Sequence, residues 1–206
     1  MPTPKKPPKP YHDGNLRQRL LEAGEKVLRR DGVAGLGMRA VTREAGVSHT
    51  AAKPHFGSLN GLRAELAAVG YLRLASALEA AHRVQPERAR RGAIARAYVH
   101  FAHAHPALFE LMFQRNLLDM TLPVLVEATA RAMRAVAGPV AAEPSSESLS
   151  REGAIRIAAG WAFVHGLAML LIEKRLRGVQ KRAASFQSLL ELADAVLDTV
   201  SLRFEP

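Results

Sequence analysis

Apolar residues at helical spacing, with no strand pattern to interrupt them, limit more than any other feature what this chain can become. Leu16, Leu20, Val27 and Leu28 recur with the period of an α-helix, and Ala23 and Gly24 fill the same stripe. No run of β-branched residues alternates with polar ones between turn signals, and no repeat period is present. The expected fold class is all-α.

Punctuation residues place the helices. Asn15 is positioned to cap the first helix, with Gln18 completing a capping box, and Asp31-Gly32 is positioned to end it. A short helix is expected from Met38 to Ala45, stopped by Gly46. Val47 and Ser48 open another, with the Ser48 hydroxyl as its cap. Phe56-Gly57 makes a turn, after which Ser58 caps a longer helix to about His82. Pro86 then starts a helix to His103, Pro106 starts a short one through Phe113, and a further helix covers 120–137. The stretch 138–150, GPVAAEPSSESLS, reads as the main internal loop. Arg151–Leu176 and Ala183–Leu202 read as two long closing helices. Residues 1–14 hold five prolines with Lys5, Lys6 and Lys9, a composition for an extended basic arm.

Composition narrows the function. With 206 residues the chain can bury a real core, and 48% apolar with 23% charged residues is ordinary globular usage. The absence of cysteine excludes a disulfide framework, a thiolate zinc site and a cysteine nucleophile. The basic N-terminus has no apolar stretch behind it, so no secretion signal is read there. The uncharged run Ile157–Ile172 is 16 residues, short of the roughly 20 that span a bilayer. It reads as a buried helix, and the chain as cytoplasmic with no membrane partner.

The charge is uneven. Residues 1–62 carry 11 basic and 5 acidic side chains, whereas residues 63–206 carry 18 and 14. A basic N-terminal third points to a polyanion, nucleic acid ahead of an anionic membrane. Within it, residues 38–54 have the spacing of a helix-turn-helix, two short helices joined through Ala45-Gly46-Val47-Ser48. The first would brace on the duplex backbone. The second would offer Ser48, His49, Thr50 and Lys53 to a groove about 12 Å wide, which accepts one helix.

At these residues the chain resembles a known family. Tyr11–Leu66 is similar to the N-terminal domain of TetR-family transcriptional repressors, through Asp31-Gly32, Arg39, Ala45-Gly46-Val47-Ser48, Thr50, His55-Phe56 and Leu62. Far downstream, Trp161-Ala-Phe-Val-His165-Gly166 resembles the Trp-His-Gly signature of one TetR subfamily's ligand-binding domain. The resemblance implies a basic arm over 1–14, a DNA-binding domain over 15–62, and a ligand-binding and dimerisation domain over 63–206. It implies a homodimer through the last two helices, double-stranded operator DNA as partner, and a small apolar or amphipathic effector that releases the repressor. Differential affinity of that effector for two arrangements of the DNA-reading heads is what would weaken DNA binding. On this reading Arg39 and Thr42 contact the DNA backbone, Ser48, His49 and Thr50 approach base edges, and Lys53 and His55 hold phosphates.

Three positions depart from the family pattern. Where the family usually has a phosphate-contacting tyrosine this chain has Lys53, where it often has a lysine there is Leu59, and position 54 is proline. Pro54 removes a helix bond to Thr50 and biases Lys53 away from helical angles, so the recognition helix is expected to end near Ala52. The alternative reading is therefore a ligand- or partner-binding helical dimer whose DNA-binding head is weakened or lost.

Other candidates are weaker. Trp161 and His165 share a helix face and need partners for their N–H groups, either a ligand or a backbone oxygen, with Gly166 admitting a neighbouring helix. Phe101, Leu108, Phe109, Met112, Phe113 and Met169 could line an apolar cavity with them, although helical spacing of aromatics also describes plain core. His100, His103 and His105 lie close in sequence but read as ordinary helix histidines rather than a metal site. No glycine-rich phosphate loop, GxSxG or paired carboxylate motif occurs, so no enzyme activity or cofactor is expected.

Overall fold

The computed structural model describes residues 15–83, 87–137, 150–183 and 185–203. The expectations for the basic arm, for Pro86 and for most of the 138–150 loop lie outside these residues. Among the described residues there are ten α-helices and no strand. They are α1 (Leu16–Gly35), α2 (Met38–Glu44), α3 (Lys53–Phe56), α4 (Leu59–His82), α5 (Glu87–Ala104), α6 (Pro106–Phe113), α7 (Pro123–Ala137), α8 (Arg151–Ile172), α9 (Arg177–Ala183) and α10 (Leu189–Arg203).

The first helix obeys its stripe: Leu20, Leu21, Ala23, Gly24, Val27 and Leu28 are all buried. Each fully buried leucine in such a stripe contributes about 1.5–3 kcal/mol relative to exposure. At its start the expected capping box does not form. The Asn15 side chain makes no cap bond, and Gln18 Nε2 donates to Glu22 Oε1 at 3.0 Å. Gly32 breaks the helix as expected, at φ +70°, and one further turn reaches Gly35 beyond the kink.

Central helix α4 is capped by Ser58, whose hydroxyl accepts from the Gly61 amide at 3.2 Å. It runs without interruption from the N-terminal head into the body, so the boundary expected near residue 62 falls inside a helix. Its buried positions include Ala64, Ala67, Ala68, Gly70 and Ala75. These small side chains let α1, α5, α6 and α7 all pack on one axis.

Two expectations are corrected at the C-terminal end. The two closing helices are separated by a third, α9, because α8 stops at Ile172 and Lys174 turns the chain with φ +58°. Furthermore, α8 is not a buried helix. Its most apolar 18-residue window has a mean hydropathy of 1.8, yet only 22% of it is buried, and Ile155 and Leu170 are exposed. By length and composition alone it could cross a membrane. Apolar composition alone therefore did not decide how much of α8 the rest of the chain covers.

Candidate nucleic-acid interface and ligand site

Gly46, at φ +69°, makes the turn between α2 and the recognition segment, a left-handed conformation that costs glycine little. The turn is braced from α1, where Arg19 donates to the Ala45 carbonyl at 3.1 Å. Arg30 pairs with Glu44 at 2.8 Å and Arg17 with Glu65 at 2.5 Å, while Arg73 holds Glu25 with two bonds of 2.7 Å. Several cations of the basic head therefore tie α1 to its neighbours. Arg39, Arg43 and Lys53 stand exposed around the turn.

Of the seven residues expected at DNA, Arg39, Ser48, His49, Thr50 and Lys53 are exposed, and His55 is half-buried beside Phe56. Thr42 is different. It is 3% exposed, and its hydroxyl donates to the Met38 carbonyl at 2.9 Å, so it is satisfied within its own helix. Arg43 takes the exposed place four residues after Arg39, a helical spacing that was available in the sequence. Val47 is half-buried and packs on the core, so it anchors the exposed turn from beneath. Leu59 likewise packs against the core, where the family often has a cation.

The recognition segment differs from the expected single helix. His49–Ala52 winds as a 3-10 turn and Lys53–Phe56 continues as an α-turn. Ser48 does not cap it with its side chain; its hydroxyl lies 3.1 Å from that of Thr50. Nor is Lys53 pushed from helical angles, since it has φ −58° and ψ −42°. The reason is that Pro54 falls in the first turn of α3, where an amide has no helical partner to lose. The segment therefore does not stop at Ala52 as expected but stays helical to Phe56, and Ala52 and Phe56, both buried, hold it to the core.

In the body, the partner of the Trp161–His165 pair is a residue sequence reasoning missed. Trp161 Nε1 donates to the Tyr98 hydroxyl at 3.3 Å, and His165 Nδ1 lies 3.0 Å from the same oxygen. Tyr98 is 2% exposed, and burial keeps its hydroxyl protonated, well above the usual phenol range. The hydroxyl accepts from Trp161, and the His165 imidazole shares the same oxygen. No sequence signal pairs Tyr98 with a helix more than 60 positions away. Around this triad, Phe113 lies 4.5 Å and Phe109 5.6 Å from the His165 ring centre, and Phe101 6.5 Å from Phe109. Phe109 and Met112 are fully buried, Phe101 nearly so, and Phe113, Trp161, His165 and Met169 half-buried. Phe101, Phe109, Phe113, Trp161 and His165 thus gather from α5, α6 and α8 in close packing, whereas the Met112 thioether faces Gly70 on α4.

Among the described residues Gly166 admits no neighbouring helix, because a Cβ there would meet nothing within 4 Å. Two shallow surface cavities lie elsewhere, about 330 Å³ beside Val69, Leu72, Arg73 and Ser76, and about 230 Å³ along α10. His100 faces Asp194 at 2.9 Å, His105 stacks on Phe101 at 5.0 Å, and His103 is exposed.

Burial lowers the His165 imidazole below its ordinary value, and it lowers His105 as well. An unfolded chain takes up these protons near pH 6.5, whereas the folded imidazoles resist until lower pH. Stability is then intact above about pH 6.5 and falls as pH drops from there through the depressed folded values. Thermal unfolding across this interval should show the loss, reduced in His165→Gln. A melting temperature independent of pH there would contradict it.

An exposed, braced helix-turn-helix on an all-helical body is the architecture of a transcription regulator. Residues 92–193 match the tetracyclin repressor-like C-terminal domain. A solved protein of unknown function from Rhodococcus sp. RHA1 is 35% identical, with 95% of this chain and 98% of that chain covered and a TM-score of 0.71. A possible TetR family transcriptional regulator from Streptomyces coelicolor A3(2) is 18% identical over 91% of this chain and 95% of its own, with a TM-score of 0.60. The TetR family transcriptional regulator PfmR from Thermus thermophilus is also 18% identical, over 91% and 100%, with a TM-score of 0.55. Those two speak to the fold alone. No curated protein matches the chain. The chain belongs to the TetR family of transcriptional regulators.

Proposed function

We propose that this protein is a cytoplasmic, sequence-specific repressor, dimeric through α8 and α10 and released from its operator by a small apolar or amphipathic effector. The observation that carries this reading is the exposed polar run Ser48, His49, Thr50 and Lys53, flanked by Arg39 and Arg43 and braced from α1. Ser48, His49 and Thr50 approach base edges, while Arg39, Arg43, Lys53 and His55 serve phosphates. Dimerisation is supported by the uncovered apolar face of α8, by the open space over Gly160 and Gly166, and by the apolar groove along α10. The effector is placed at the aromatic cluster of Tyr98, Phe109, Phe113, Trp161 and His165. There, α6 touches both the cluster and α1, so a ligand that displaced α6 would reach the head.

The test is a titration of DNA from upstream of its own gene at several salt concentrations. Arg39, Arg43 and Lys53 from two protomers supply six cations, so the slope of log affinity against log salt should be about −5. A flat, sequence-blind response at micromolar affinity or weaker would instead favour a ligand- or partner-binding dimer with a disabled head. Leu59 and the 3-10 winding of His49–Ala52 are the features on which that second reading stands.

A further inference from the structure

A second cationic cluster lies outside the head. Lys174, Arg175, Arg177, Lys181 and Arg182 fall within nine residues at the α8–α9 junction and along α9, and all five side chains are exposed. Arg175 is paired with Glu173. Among the described residues Lys174, Arg177, Lys181 and Arg182 have no acidic partner. Lys174 also occupies a left-handed position, φ +58°, at the end of α8, with its amide on Leu171 and the next amide on Leu170. Glycine is the residue such a helix end favours, so the lysine side chain is held there against backbone preference.

Its place in the fold gives this cluster a direction. Arg96 pairs with Asp194 at 2.7 Å and with Asp198 at 2.6 Å, and His100 with Asp194 at 2.9 Å. Residue numbers rise along α5 as they fall along α10, so the two helices are antiparallel, with the start of α10 beside the end of α5. One residue after α5 comes α6, which packs on α1 of the head. Helix α9 precedes α10 and contacts it, so the cluster sits at the end of the body that meets the DNA-reading head.

We infer that Lys174, Arg177, Lys181 and Arg182 form an accessory site for the phosphate backbone of duplex DNA, adding sequence-independent affinity to the recognition made by the head. The inference rests on the repressor reading for its partner. Duplex phosphate fits better than a membrane surface, because α9 is only seven residues long and exposes Val179 as its one large apolar side chain.

The experiment uses the full chain and a fluorescein-labelled duplex of arbitrary sequence, read by anisotropy against salt. Substituting Arg177→Gln, Lys181→Gln and Arg182→Gln together should flatten the salt slope by about 0.9 for each phosphate no longer neutralised and weaken binding about tenfold or more at 0.1 M salt. The loss should be the same on every duplex sequence. Lys174→Gly should weaken duplex binding while its melting temperature holds or rises, a combination that damaged folding does not produce. A head variant, Arg39→Gln with Lys53→Gln, separates the two claims. If the head variant flattens the slope and the α9 variant leaves it unchanged, the accessory site is overturned and the repressor reading stands. If only the α9 variant flattens it, the accessory site stands and the assignment of the head fails. Salt-independent or absent binding by the unaltered protein overturns both. Should the α9 substitutions spare the duplex slope but abolish binding to phosphatidylglycerol vesicles, the partner is a membrane and the DNA assignment is overturned.

Discussion

Truncating Phe109 to alanine is expected to remove about 3–5 kcal/mol of stability, among the largest losses any single side chain in this protein can give. Phe109 is fully buried, and its ring stands 4.8 Å from that of Phe113 and 5.6 Å from those of Tyr98 and His165. Those neighbours come from α5, α6 and α8, three helices that cannot all close on the space a ring leaves. A cavity term therefore adds to the lost transfer free energy. In thermal unfolding the change should appear as a drop on the order of 10 °C for a chain of this size. The vacated space would be apolar, and a benzene-sized molecule should restore part of the lost melting temperature. A loss below about 1 kcal/mol would mean that this cluster yields easily and is not a packed core.

Replacing Gly61 with alanine should cost about 3 kcal/mol, through overpacking instead of a void. A Cβ at this position would stand 2.0 Å from the Phe56 carbonyl oxygen and 3.1 Å from its carbon. Both are backbone atoms and cannot rotate away. Either the first turn of α4 or the Gly57 turn must shift, and Phe56 and Ala52 anchor the recognition segment from there. Both stability and operator affinity should therefore fall, measured by denaturant unfolding and by DNA titration of the same sample. Unchanged stability would mean that the α3–α4 junction is slack enough to absorb a methyl group.

Much of the fold was legible because its signals are local. Ser58 caps α4, Gly32 and Gly46 break their helices, and Pro106 opens α6, each through the chemistry of one residue and its nearest neighbours. The recognition segment was half legible. The change of winding after Ala52 lies beside Pro54, but the expected end of the helix there did not occur, since the backbone stays helical to Phe56. That Lys53 stays helical depended on α3 beginning anew at that point. Side-chain direction was the least legible quantity. Thr42 and Arg43 are adjacent on one short helix, yet one is buried and the other exposed, because the core lies beneath only one of them.

The line of amino acids alone determined the all-helical class, the position of the helix-turn-helix, and the gathering of positive charge in the first third. Spacing and composition suffice for these, since they depend on contacts within a few residues. Tertiary structure decided which groups meet across long separations. It placed Tyr98 between Trp161 and His165, and brought α5 and α10 together through Arg96 and Asp194. Among the described residues it also left most of α8 uncovered, although its apolar composition alone had suggested burial. The physical reason is that burial and partnership belong to the packed arrangement of all the helices, which no single segment encodes.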